Sequence, residues 1–231
     1  MRRWLAFAFL ALAAMASHAL PVEISAEYKL VSAGITIGIV TETFRREGDT
    51  YAIRSTTRSE GPLKVFLDDN ITLRSRGRIN GEGLQPLEFE QKRAGDASRD
   101  IVATFDWERG VMHSRYKGES REVALPQATQ DRVSVMYQFM TRGKAAPMVE
   151  MNMSNGRKVD RYTYRLVEEV RLTTPAGEFD TVHYERVTAT AKESKAGLWL
   201  ARDRFNIPVR VVFDDPKGLK LEQVLLQLQV R

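Results

Sequence analysis

From Val22 onward apolar and polar residues alternate with a period of two, and Gly, Asn and Asp separate the runs. VEISAEYKLV passes through Ser32-Ala33-Gly34 into ITIGIVTETF, and RREGDT leads into YAIRSTTRS. Three such runs with short connections predict an antiparallel meander. In ITLRSRGRING, Ile71, Leu73 and Ile79 share one parity while Thr72, Arg74, Arg76 and Arg78 share the other, so one face is apolar and the opposite face basic. DRYTYRLVEEV repeats the pattern, with Tyr162, Tyr164, Leu166 and Val170 set against Arg161, Thr163, Arg165 and Arg171. The last run, LKLEQVLLQLQV, carries Val224, Leu226, Leu228 and Val230 on one parity and Leu219, Leu221 and Leu225 on the other. A strand apolar on both parities is expected to be covered on both sides.

One stretch has a different period. ATQDRVSVMYQFMTRG offers Thr129 or Asp131 as an N-cap, Val133, Met136, Tyr137 and Met140 at helical spacing, and Gly143 as a stop, which predicts a helix over Gln130 to Arg142. Met136 and Met140 on that stripe are expected to be core residues rather than a lipid lid. No repeat or linker divides the chain. The expected fold is mainly β: a single antiparallel curved sheet, half-barrel or barrel of about a dozen strands with one principal α-helix. The outward parity carries Arg, Lys and Glu, where a membrane barrel needs an apolar band.

The first residues change the picture. MRRWLAFAFLALAAMASHALP places Arg2 and Arg3 before an apolar run from Trp4 to Met15, followed by small residues at Ser17 and Ala19. That is the three-part pattern of an export signal, with cleavage expected after Ala19 and residues 20–231 left as a single β-rich domain in the periplasm. A membrane-spanning anchor needs about 20 apolar residues, more than this run supplies before Pro21. The 231 residues contain no Cys, which removes disulfides, thiolate metal sites, thiol nucleophiles and the thioether of a lipoprotein anchor. Without Arg2 and Arg3 the charge falls from +5 to +3, from 33 basic against 30 acidic side chains. With no block of like charges, this does not predict a nucleic-acid partner.

Candidate chemistry is sparse. Of the three His, His18 belongs to the leader, and His113 and His183 stand 70 positions apart with no metal-binding spacing around them, so no metal and no cofactor is expected. No GxSxG elbow is present to support a Ser-His-Asp triad on either His. Asp68-Asp69 and Asp214-Asp215 adjoin Asn70 and Pro216 at expected strand ends, where Asp favours turns over acid–base pairs. The Arg74, Arg76, Arg78 row is the candidate ligand-binding feature, reinforced if Arg54 and Arg58 share its face. Its plainer reading is a solvated row that discourages edge pairing.

GLWLARDRFNIPVRVVFDD, residues 197–215, carries a family resemblance. Trp199-Leu200, Asp203, Ile207-Pro208-Val209-Arg210 and the later Gly218 resemble the C-terminal signature of the domain-of-unknown-function 3108 family of exported bacterial proteins. TPAGEFDTVHYE and GITIGIVTE support the likeness. The resemblance implies a curved antiparallel sheet or barrel in the bacterial envelope with no established activity and no catalytic residue. From the residues themselves, Trp199 is expected to be a core or cross-strand aromatic and Asp203 a turn cap. Pro208 should stand at a strand start, and Arg210 should point away from Ile207, Val209, Val211 and Phe213.

Together these features predict a non-enzymatic periplasmic binding or assembly protein that accepts a lipid or other apolar ligand on a concave sheet. The alternative is an envelope scaffold that holds another protein through a sheet edge or its basic face.

Overall fold

The computed structural model describes residues 20–60, 70–143 and 145–231; the leader and Asp68-Asp69 lie outside them. The strands are β1 (Glu23–Ser32), β2 (Ile35–Glu47), β3 (Thr50–Ser59), β4 (Ile71–Asn80), β5 (Gly83–Arg93), β6 (Ile101–Asp106), β7 (Val111–Tyr116) and β8 (Glu119–Ala124), then β9 (Gln130–Asp131), β10 (Met148–Ser154), β11 (Val159–Thr174), β12 (Gly177–Arg186), β13 (Lys195–Ala201), β14 (Ile207–Asp214) and β15 (Lys220–Val230). All belong to one 15-stranded sheet in the order β8-β7-β6-β5-β4-β3-β2-β1-β15-β14-β13-β12-β11-β10-β9. Neighbours are antiparallel except β9 and β10, which pair in parallel through Met153–Gln130 and Ser154–Asp131. The expected curved sheet is therefore present, as two meanders joined where β1 meets β15 with Ile24 opposite Val230.

Alternation decides which side chains fill the concave face. Ile24, Ala26 and Tyr28 of β1, Val40 and Phe44 of β2, and Tyr51 and Ile53 of β3 are buried, while their outward neighbours are more exposed. The last strand obeys the same rule in an unexpected way. Its pairing with β1 slips at Glu27/Tyr28, so that Gln227 faces Glu27 but Leu225 faces Tyr28, and Leu226 is left in a bulge. The bulge switches parity: Leu225 and Leu228 both join the interior, and Val224 turns outward beside Arg210. The apparent two-faced strand is a one-faced strand with an extra residue, and Leu219 is exposed.

The expected helix is much shorter than its pattern. Gln130 and Asp131 are strand, α1 spans only Ser134–Tyr137, and Gln138–Thr141 continue as a 3-10 turn. Asp131 Oδ1 accepts the N–H groups of Val133 and Ser134, each at 2.9 Å, which starts the turn while Asp131 itself remains extended. At the other end the Asn206 amide donates to the carbonyls of Phe139 and Arg142, at 3.2 and 3.0 Å, which takes up acceptors at the end of the turn. Val133, Tyr137 and Met140 do form one buried stripe.

This short segment occupies the concave face. Gln138 Oε1 accepts from Leu84 N at 2.7 Å, Gln138 Nε2 donates to Glu82 O at 2.8 Å, and Gln130 Nε2 donates to Leu84 O at 2.6 Å. Gly83, at φ +108°, admits that approach, since a Cβ there would lie 2.6 Å from the Gln138 amide. Val135 and Phe139 pack against Val149, Tyr164, Val182, Tyr184, Leu198 and Leu200 on the C-terminal half. The concavity that the sequence offers to an apolar ligand is thus covered by the chain itself.

Candidate functional site

Two carboxylates lie within this interior. Asp131 is fully buried and, besides its two backbone bonds, accepts from Ser75 Oγ at 2.5 Å; Ser75 Oγ lies 3.2 Å from Tyr51 Oη. Glu42 accepts from Ser55 Oγ at 2.9 Å and from Tyr137 Oη at 3.2 Å. Loss of hydration pushes both carboxyl groups above the usual carboxylate range, against the pull of these hydrogen bonds. The same desolvation raises the phenols of Tyr51 and Tyr137. Every polar atom of the two carboxylates has a partner, so the groups anchor the inner segment rather than face a substrate. The sequence marked Asp131 only as an N-cap candidate, a role it keeps toward Val133 and Ser134, and did not mark Glu42. The available signal for Glu42 was its place on the inward parity of GIVTETF, between Val40 and Phe44.

On the outer face, successive strands each contribute one side chain to a ladder. Glu168, His183, Trp199 and Arg210 stand opposite one another on β11 to β14. His183 Nδ1 lies 3.4 Å from Glu168 Oε1, and the imidazole stacks on the Trp199 indole with centroids 3.9 Å apart and planes 9° from parallel. The Arg210 guanidinium covers the same indole at 4.5 Å and its Nε donates to Glu222 Oε1 at 2.7 Å. Gly197 makes room: a Cβ there would sit 3.0 Å from Trp199 Cζ3 and 3.4 Å from His183 Nε2. Trp199 is therefore the expected cross-strand aromatic, half-buried, and Arg210 points outward as expected.

Beside the ladder is a hollow of about 520 Å³ lined by Arg165, His183, Glu185, Lys195, Trp199 and Asp214, among others. His183 is 7 % exposed, and its Nε2 is buried with no hydrogen-bond partner among the described residues. The Glu168 carboxylate faces Nδ1, which leaves Nε2 as the ring nitrogen without a hydrogen bond. The nearest anion, Glu185 Oε1, is 4.0 Å away. Among the described residues no hydroxyl is hydrogen-bonded to Nε2. A larger hollow, about 820 Å³, surrounds Arg171, Arg202 and Asp203. Those three charges are already paired, with Glu178, Glu169 and Arg204 respectively.

The other sequence candidates fall elsewhere. His113 Nδ1 is 3.4 Å from Glu122 Oε1, but it lies on β7, far from His183 on β12 in the sheet order. Among the described residues no group of three potential metal ligands occurs. Asp203 is exposed and binds Arg204 through its carboxylate at 2.9 Å, so it does not serve as the expected turn cap. Asp215 does take the turn role, accepting from Lys217 N at 2.7 Å, and Gly218 at φ +93° completes the turn. Pro208 is the second residue of β14, where its carbonyl accepts from Tyr28 Oη at 3.1 Å. Arg74, Arg76 and Arg78 share the outer face of β4, and Arg54 stands directly opposite Arg74. Arg58 faces outward on β3 but lies beyond the β3–β4 pairing, which ends at Thr57 opposite Ile71.

Two solved structures are similar over most of their length. One is a provisionally designated lipoprotein from Parabacteroides distasonis, 11 % identical, covering 91 % of this chain and 97 % of its own, with a TM-score of 0.35. The other is a provisionally designated exported protein with a YmcC-like fold from Bacteroides fragilis, 13 % identical, covering 90 % and 96 %, with a TM-score of 0.33. No curated protein matches the chain. Among the described residues no helix is long and apolar enough to cross a membrane. Residues 25–224 match the profile of the family described as protein of unknown function DUF3108, and the chain belongs to that family.

Proposed function

We propose that this protein is exported to the periplasm and acts there as a non-enzymatic binding protein, holding a small polar ligand in the outer-face hollow beside His183. The observation that carries this reading is His183 itself: it lines a hollow of about 520 Å³, and its buried Nε2 has no hydrogen-bond partner among the described residues. Such a group loses hydration without compensation unless a ligand meets it. The hollow is within the size range of small-molecule sites, about 300–1,000 Å³. Its charged rim of Arg165, Lys195, Glu185 and Asp214 suits a polar ligand better than an acyl chain. An apolar ligand on the concave face finds its place taken by Val133–Met140. A hydrolytic role has less support, because no nucleophile is hydrogen-bonded to His183 Nε2 among the described residues.

His183→Phe tests the reading, since a phenyl ring keeps the stack on Trp199 and loses both ring nitrogens. Native mass spectrometry of protein isolated from its own envelope should show a small molecule on the parent that the variant lacks. A bare parent, or the same adduct on both proteins, would overturn it.

A further inference from the structure

We propose that the outer face of β2, β3 and β4 docks onto the phosphate groups of an anionic lipid surface, with Ala52 at the centre of the contact. The strand register assembles this patch. Ala52 pairs with Arg45 on one side and Arg76 on the other. The next outward residue of β3 is Arg54, which faces Arg74; the previous one is Thr50, which faces Arg78. Five guanidinium-bearing positions therefore surround a single methyl group. The alternating positions Tyr51, Ile53 and Ser75 are buried, whereas Arg45, Ala52, Arg54, Arg76 and Arg78 are exposed.

The charges in this ring are unevenly satisfied. Arg45 pairs with Glu23 and Arg74 with Glu90, each at 3.1 Å. Arg54, Arg76 and Arg78 make no ion pair among the described residues, although Glu47 and Glu88 border the ring. Like charges placed directly opposite, as Arg54 and Arg74 are, destabilise a sheet. Edge protection does not account for them, because β3 and β4 are interior strands and the edge on that side is β8. An external anion does account for them, and guanidinium forks match phosphate oxygens in pairs.

The shape of the patch selects the occupant. Thr50 and Ala52 are small and exposed, and the hollow of about 300 Å³ beside Arg74 and Arg76 is shared with Glu88 and Glu90, whose charges oppose a single free phosphate there. A surface that presents many phosphates engages all the arginines together, and their contributions accumulate. This contact goes beyond the ligand proposed beside His183 and uses none of the same residues.

Vesicle co-sedimentation tests it, using phosphatidylcholine vesicles with and without an equal share of phosphatidylglycerol. The parent should bind only the anionic vesicles. The triple variant Arg54→Gln, Arg76→Gln, Arg78→Gln should bind at least about tenfold more weakly. A control with Arg115→Gln, Lys192→Gln and Lys217→Gln removes the same charge from exposed sites on β7, the β12–β13 loop and the β14–β15 turn. Its affinity should change by less than about twofold. The proposal fails if the parent ignores the anionic vesicles, if the ring variant binds like the parent, or if the control loses as much. Displacement by inorganic phosphate beyond that caused by sodium chloride at equal ionic strength would also overturn it, in favour of a discrete anion site.

Discussion

Leu198 and Trp199 are consecutive on β13 and point to opposite faces of the sheet. Leu198 is 1 % exposed and packs with Val182, Tyr184 and Phe139 beneath the sheet, whereas Trp199 is held between His183 and Arg210 above it. Truncating Leu198 leaves a cavity in a close-packed interior, so Leu198→Ala should cost about 2–5 kcal/mol. Trp199→Ala removes one aromatic stack and one cation–π contact at a half-exposed site, together worth about 1–2.5 kcal/mol. Urea unfolding of both variants checks the order. A larger loss for Trp199→Ala would place the indole in the core and contradict the ladder. The sequence carried this division in parity alone: Arg210, out of phase with Val209 and Val211, already marked the outer face. The His183–Trp199 contact was not legible, because period two does not say which strands become neighbours.

At the scale of the element, the inner segment from Gln130 to Thr141 is the place where local pattern and tertiary context disagree. Helical spacing identified the right apolar stripe, but β9 pairing claims the first two residues and the Asn206 amide binds near the end. Asp131 links these features to pH. Its folded-state pKa is raised by burial, so the folded protein favours the neutral acid more than the unfolded chain does. Stability from this group is therefore highest below its unfolded pKa and falls as pH rises from there through the folded value. Asp131→Asn keeps an acceptor for Val133 and Ser134, and Ser75 can accept from the new amide. Its melting temperature should exceed the parent's at neutral pH, with the gap closing as pH falls through that window. A gap that widened in acid would contradict the assignment. The slipped register of β15 is the companion case: a bulge at Leu226 converts two apolar parities into one interior row, and nothing local announces it.

At the scale of the molecule, the sheet curls until its ends touch. Ser114 Oγ on β7 donates to Gly156 O in the β10–β11 turn at 2.5 Å, Ser154 Oγ approaches Met112 Sδ at 3.1 Å, and Arg157 covers the Tyr116 ring at 4.2 Å. Gly156 is pressed against Ile101 and Phe89, where a Cβ would lie 2.6 Å from Ile101 Cγ2. Sequential meanders were legible from short turns and alternation. A curl toward a barrel was among the expected shapes, but the β1–β15 seam and the residues that meet at the two ends, far apart in the chain, were not legible. Closure around residues 130–141 fills the concave face and leaves the outer face for binding. Hydrogen exchange of the amides in that segment tests it most directly. If the segment is a permanent part of the core, Val133, Ser134 and Phe139 should exchange as slowly as β1 and β2, and added oleate should change nothing. Exchange faster than those strands, slowed by oleate, would show a lid over a lipid site and contradict the account.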